Sequence, residues 1–304
     1  MNQPPSSEVS HKDFMRQLSA EDKRTLTVKT NSNGVIRLAI LVTLLGFCSA
    51  TILSQPLCWQ LLLLPQGLLL VSLFHLLHEC IHDTPFRNRR LNSVVGAICG
   101  FILLLPSEWF RYFHRDHHRY TQIEGKDPEL ETKKPETRIQ WLLHISGFPV
   151  FISLLKVNAR CATNKVSESF IPASAQQSVI KQARIMAGLY STLVLCSVIF
   201  QNYTLLTIWT VPLITGQPFL RLYLLAEHTL CENTDDMLMN TRTVLTNPIV
   251  RWFTWNMPYH TEHHVYPAVP FHQLPALHIK MTAWLNNTDR SYVEFNRRLY
   301  NILR

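Results

Sequence analysis

Fourteen histidines stand in this 304-residue chain, and nine of them are spaced so that their imidazole nitrogens can share metal ions. His78 and His82 lie four residues apart, which puts both rings on one face of a helix. His114, His117 and His118 have i, i+3, i+4 spacing, and His260, His263 and His264 repeat it near the C-terminus. His228, in Ala226-Glu227-His228, stands alone after an apolar segment and is the natural ninth donor. Eight or nine imidazoles exceed what one metal accepts, whereas two metals of roughly five or six ligands each absorb them all. Imidazole suits zinc, copper, iron and nickel, so ligand type does not choose among them. A redox-inert zinc has no need of a second site against membrane helices. Activation of O2 for C–H cleavage does use a redox pair, so iron is the reading adopted.

Carboxylates are interleaved with these histidines. Glu79, Asp83, Asp116, Glu227 and Glu262 are placed to accept the outer N–H of ligand imidazoles, a role that fixes tautomers and raises ligand basicity; the alternative for any one of them is a solvated face balancing nearby arginines. His75, one turn before His78, reads as a buried structural histidine rather than a ligand. His11, His144, His272 and His278 lack paired spacing and are set aside.

The elements that must hold these residues are apolar. A bilayer crossing takes roughly 20 apolar helical residues, and four stretches qualify: 35–54, 57–77, 185–200 and 203–225. The first two are separated only by Gln55 and Pro56, and the last two by an equally short turn, so they form two helical hairpins. Residues 94–105 are too short to cross, and 139–157 are broken by His144, Gly147 and Pro149; both read as interfacial or re-entrant. Pro212, Gly216 and Pro218 are expected to bend the fourth segment. Arg221, within it, either holds a substrate head group or snorkels to the surface. Trp109, Trp141, Trp252 and Trp255 read as interfacial anchors, with the lining of a substrate tunnel as the alternative.

Charge orients this layout. Lys23, Arg24 and Lys29 precede the first hairpin, Arg87, Arg89 and Arg90 follow it, and Arg297, Arg298 and Arg304 lie at the end of the sequence. The positive-inside tendency then puts both termini and every histidine cluster on the cytoplasmic side. Lys and Arg outnumber Asp and Glu by 29 to 21, but the excess sits beside apolar runs, where lipid attraction explains it better than nucleic acid does. The mean hydropathy of +0.03 hides this alternation of apolar and charged stretches. The seven cysteines contain no CxxC pair and read as reduced small hydrophobes. Residues 1–32 lack the pattern of a secretory signal, so an internal helix is expected to start insertion. The expected fold is an all-α integral membrane protein: four transmembrane helices in two hairpins, with a cytoplasmic helical cap, built from residues 78–184 and 226–304, holding a di-iron site.

The pattern His78-x3-His82, His114-x2-His117-His118 and His260-x2-His263-His264 resembles the three histidine boxes of membrane fatty acid desaturases, whose relatives include carotenoid ketolases and hydroxylases and alkane hydroxylases. The likeness covers about residues 35–280 and extends to the flanks Thr84-Pro85-Phe86-Arg87-Asn88, Asn256-Met257-Pro258-Tyr259, Tyr266-Pro267, and Pro270, Leu274, Pro275 and His278. On either side lie a polar segment 1–34 and a basic helical tail 281–304. The resemblance implies two iron ions on His78, His82, His114, His117, His118, His228, His260, His263 and His264, with O2 as co-substrate and a lipid or acyl chain in a hydrophobic tunnel. It also implies removal of two hydrogens to leave a C=C bond, or hydroxylation if rebound wins. No His-Pro-Gly-Gly haem motif or ferredoxin-type cysteine array occurs in the sequence, so electrons are expected from a separate protein, ferredoxin-like or a small haem protein. The compact length leans toward a bacterial inner membrane. A hydroxylase or ketolase, a metal-handling membrane protein and a silent scaffold are the rival readings. The metal-handling rival predicts ligands spread through membrane depth, and the scaffold predicts missing box histidines.

Overall fold

The computed structural model describes residues 10–304; residues 1–9 of the expected 1–34 segment lie outside the described residues. The described residues are mostly helical. The helices are α1 (His11–Gln17), α2 (Ala20–Leu26), α3 (Ser32–Leu53), α4 (Leu63–Ile81), α5 (Arg89–Ile102), α6 (Ser107–Tyr120), α7 (Arg138–Ile145), α8 (Phe148–Ala162), α9 (Ala173–Ile199), α10 (Val211–His228), α11 (Met237–Asn240), α12 (Pro248–Phe253), α13 (His260–Val265), α14 (Leu274–Met281) and α15 (Tyr292–Ile302). The two short strands β1 (Thr243–Val244) and β2 (Thr288–Asp289) pair in parallel.

Among the described residues three helices are long and apolar enough to cross a membrane: Ser32–Leu53, Trp59–Ile81 and Ala173–Ile199. The count rises to five if two bent pairs each count as one span, α5 with α6 at 101° and α7 with α8 at 55°. The three differ in what surrounds them. α3 and α9 leave Ile36, Phe47, Val194, Val198 and Ile199 exposed, as a lipid-facing helix does, since lipid is as apolar as their side chains. α4 is buried along most of its length and forms the centre of the bundle, flanked by α3, α5 and α10.

The segment expected as the fourth crossing is not among the three. It begins in a π-helical stretch, Leu206–Thr210, and continues as α10, whose Gln217, Arg221, Glu227 and His228 lower its hydropathy. Those groups are tolerated because α10 packs along α4 and protein covers them; Gln217 and His228 are both buried. Gly216 sits at the closest approach of the two helices. A Cβ there would meet the carbonyl oxygen of Gly67 at 2.4 Å, and one on Gly67 would meet that of Pro212 at 2.3 Å. Small residues at a crossing let two backbones touch, so Gly216 serves packing.

Much of the remaining chain packs around the C-terminal end of α4. Phe14, Leu18 and Leu26 of the N-terminal segment bury against Met257, Leu277 and Met281, and His11 Nδ1 lies 2.8 Å from Asp236 Oδ1. At the other end of the sequence, Phe295 and Leu299 of α15 pack on Leu225 and Ala226 of α10. Buried Asp289 pairs with Arg298 at 2.8 Å and with Arg242 at 2.9 Å, while Arg242 Nη1 also donates to the carbonyls of Ala226 and Thr229. The turn after His228 is thereby tied to the C-terminal helix. All seven cysteines are unpaired.

Candidate metal centre

Four helices deliver the nine histidines. α4 carries His78 and is capped by His82; α6 carries His114, His117 and His118 in its last two turns; α10 ends on His228; α13 opens with His260 and includes His263 and His264. Their rings converge as two groups. His78, His82, His114, His118 and His263 have ligand atoms all within 4.8 Å of one another, as do His117, His228 and His264. His260 joins the second group: its Nε2 lies 3.2 Å from His228 Nε2 and 3.1 Å from His264 Nε2. In the first, His118 Nε2 lies 2.8 Å from His114 Nε2 and 3.2 Å from His263 Nε2.

The division cuts across the sequence clusters. In each His-x2-His-His motif the i, i+4 pair stays together, His114 with His118 and His260 with His264, while the middle histidine, His117 or His263, belongs to the opposite group. Helix geometry accounts for this, because i and i+4 share a face whereas adjacent residues point about 100° apart.

In the second group the outer nitrogens of His117, His228 and His264 each have a hydrogen-bond partner, while that of His260 has a carboxylate nearby but no hydrogen bond. His117 Nδ1 lies 3.0 Å from Asp127 Oδ1, His228 Nδ1 3.0 Å from the Asn240 carbonyl, His264 Nδ1 3.2 Å from Thr121 Oγ1, and His260 Nδ1 3.3 Å from Glu227 Oε1. Such partners fix ring orientation and point the other nitrogen inward. In the first group, by contrast, both nitrogens of His78, Nε2 of His82 and Nδ1 of His118 and His263 are buried without a hydrogen-bond partner.

Of the five acids expected behind the ligands, only Glu227 faces one. Glu79 accepts from Thr84 Oγ1 at 2.7 Å and from the Phe271 amide at 3.1 Å. Asp83 sits 3.9 Å from Arg111, and Asp116 sits 3.9 Å from Arg119. Glu262 accepts from Thr243 Oγ1 at 2.6 Å and pairs with His278, a histidine the spacing argument had set aside. The carboxylate that sequence reasoning missed is Asp127, behind His117. Burial would raise its pKa, but hydrogen bonds from His117 and from the amides of Gln122 and Glu129 outweigh that and hold it below the usual carboxylate range. Its only sequence signal is Asp127-Pro128, the start of a 3₁₀ turn, which marks a cap rather than a site.

Electrostatics favour a cation at the convergence. Burial, reinforced by the neighbouring imidazoles, holds His260, His263 and His264 well below the ordinary value of 6.5, so they are neutral with lone pairs free. Neutral imidazoles whose nitrogens approach within hydrogen-bond distance can share only one proton per contact. Converging imidazoles with several orphaned nitrogens would be satisfied by metal ions, and the two groups could each hold one, so the residues fit a two-metal centre.

Beside the histidines lies a cavity of about 1160 Å³ between α4, α7, α10, α12 and α15, walled by groups such as Leu68, Leu69, Phe219, Leu220 and Phe253. α15 supplies Tyr292, Val293, Asn296, Arg297 and Tyr300 to it, so the C-terminal helix is one of its walls. Of the four tryptophans considered, only Trp141 lines it. Trp109 donates to Glu168 at 2.7 Å, and Trp252 and Trp255 hold the Arg37 guanidinium at 5.3 and 5.4 Å from their ring centres. A smaller pocket of about 60 Å³ is lined by His78, His114, His117, His260 and Glu227. His75 lines both.

Comparison with known proteins identifies the family. The profile of the fatty acid desaturase family matches residues 33–296, and the chain belongs to that family. It is 26% identical over 252 residues to a chloroplastic omega-3 fatty acid desaturase of Glycine max, covering 74% of this chain and 54% of the relative. It is 24% identical over 268 residues to the sphingolipid delta(4)-desaturase DES1 of Drosophila melanogaster, covering 84% and 76%. To a fatty acid desaturase of Bacillus subtilis it is 22% identical over 231 residues, covering 69% and 64%. The chain thus spans about half the length of the soybean relative.

Proposed function

We propose that this protein is an O2-dependent lipid desaturase with two iron ions, one on His78, His82, His114, His118 and His263 and the other on His117, His228, His260 and His264. The observation that carries the reading is the meeting of two imidazole groups with an apolar cavity at His75. Two irons bound there would supply the redox chemistry that couples O2 reduction to removal of hydrogens from adjacent methylenes. The protein's share is positional: the cavity holds an extended chain and excludes water, and Asp127, Asn240, Thr121 and Glu227 keep the second group of rings in register. Because both groups sit on one side of the bundle, we read the helices as two hairpins with the cap, both termini and the histidines facing the cytoplasm, in a bacterial inner membrane. Electrons come from a separate ferredoxin-like or small haem protein, which the basic face would attract.

The test is elemental analysis of detergent-purified protein beside a His117→Ala, His263→Ala double variant, followed by lipid analysis of cells expressing each. About two irons in the parent, marked loss in the variant, and unsaturated lipid only with the parent are expected. Stoichiometric zinc indifferent to the substitutions would overturn the reading. Oxygen retained in the product would move it to the hydroxylase branch.

A further inference from the structure

His75 belongs to neither histidine group, yet it stands where the large cavity meets the small pocket and lines both. It is buried, and neither ring nitrogen has a hydrogen-bond partner among the described residues. Tyr223, in the same cavity wall, has its ring centre 4.6 Å from that of His75, and its buried hydroxyl also lacks a partner. Two adjacent buried polar groups left unsatisfied are costly, and both face a cavity whose nearby walls are Leu68, Leu69, Leu220 and Phe253. Thr254 and Tyr292 lie on the same wall beside Tyr223, but neither His75 nor Tyr223 has a partner of hydrogen-bond geometry, which leaves both open to a polar group on whatever fills the cavity. A plain alkyl chain has neither donor nor acceptor. Imidazole and phenol together offer both, which suits a hydroxyl or an amide.

We propose that His75 and Tyr223 form a polar station in the lipid cavity that hydrogen-bonds a hydroxyl or amide carried on the substrate chain. His75 is three residues from His78, about 4.5 Å along the helix axis. The polar group therefore sits only a few carbons from those presented to the histidine groups, and the pair acts in positioning and specificity. This substrate class rests on the desaturase reading above.

The test is displacement of a fluorescent fatty acid from the detergent-solubilised protein by octadecanoic acid and by octadecanoic acids hydroxylated at single positions along the chain. The parent is expected to bind at least one hydroxylated chain about tenfold more tightly than the plain chain, the worth of one or two good hydrogen bonds. The His75→Leu, Tyr223→Phe double variant is expected to bind them equally, with metal content matching the parent as the check on folding. Tyr223→Phe alone, which keeps the ring, is expected to lose part of the preference. A parent that does not discriminate, or a preference that survives in the double variant, overturns the proposal. Because binding is read without turnover, failure of the desaturase reading shows itself separately, as absence of unsaturated product from every chain while the preference remains.

Discussion

Replacing Asp127 by Asn tests whether a carboxylate outside the histidine motifs governs one half of the centre. The Asp127 side chain is fully buried and serves three donors: Oδ1 accepts from His117 Nδ1 at 3.0 Å and from the Glu129 amide at 2.9 Å, and Oδ2 accepts from the Gln122 amide at 2.8 Å. Asparagine has one acceptor oxygen. With that oxygen toward His117, its NH2 confronts the Gln122 N–H, an unmade bond costing about 1–3 kcal/mol; with the amide flipped, two bonds are lost. The surviving contact to His117 is no longer charge-assisted, which roughly halves its strength. Loss of such a partner behind a ligand typically lowers metal affinity about 10–100-fold. The assay is chelator titration of iron-loaded protein with elemental analysis, alongside thermal melts. Asp127→Asn is expected to release one of two metals at about 10–100-fold lower chelator strength while the five-histidine group keeps the other. Asp116→Asn, whose carboxylate reaches Arg119 at 3.9 Å and no imidazole, should match the parent. Identical retention of both metals in the two variants would refute the assignment, as would equal loss in both.

Two further outcomes follow from burial and packing. In metal-free protein His260, His263 and His264 titrate below the ordinary 6.5 because they are buried among one another. The unfolded chain then binds more protons in acid, so stability is fully present above pH 6.5 and falls below it, by up to about 1.4 kcal/mol per pH unit for each histidine; chelator-treated protein whose melting temperature is flat across that value would contradict this. Gly67→Ala would drive a methyl group into the Pro212 carbonyl at 2.3 Å and the Gly216 amide at 2.8 Å, forcing α4 from α10 at a cost of at least about 1–3 kcal/mol. Size-exclusion chromatography in detergent should show reduced monodisperse protein for it and none of that loss for Gly46→Ala, where nothing lies within 4 Å.

Much of the site was legible because helical spacing is a local property. The i, i+4 pairs His78/His82, His114/His118 and His260/His264 had to share faces whatever the tertiary fold, and the apolar runs had to be helices. What lay beyond reach depends on where a side chain ends up after packing. Glu79 and Glu262 are adjacent to box histidines in sequence, but neighbours on a helix point apart, so their carboxylates turn to Thr84 and Phe271 and to Thr243 and His278. Asp127 is far from any periodic pattern and reaches His117 only because the chain turns back after α6. Whole-segment hydropathy says little about α10, because it averages over all faces whereas polar residues such as Gln217 and His228 are covered by protein.

The exchange of the middle histidines has a mechanical consequence. α6 contributes His114 and His118 to one group and His117 to the other, and α13 contributes His263 to the first and His260 and His264 to the second. Each helix therefore reaches both proposed metal positions through side chains held on one rigid backbone. Neither helix can shift without moving ligands in both groups, so the spacing between them is set by helix geometry rather than by loops. A redox pair of the kind proposed, acting on one bond, would need a fixed separation, and two clusters each confined to its own helix would leave that separation to the packing between helices.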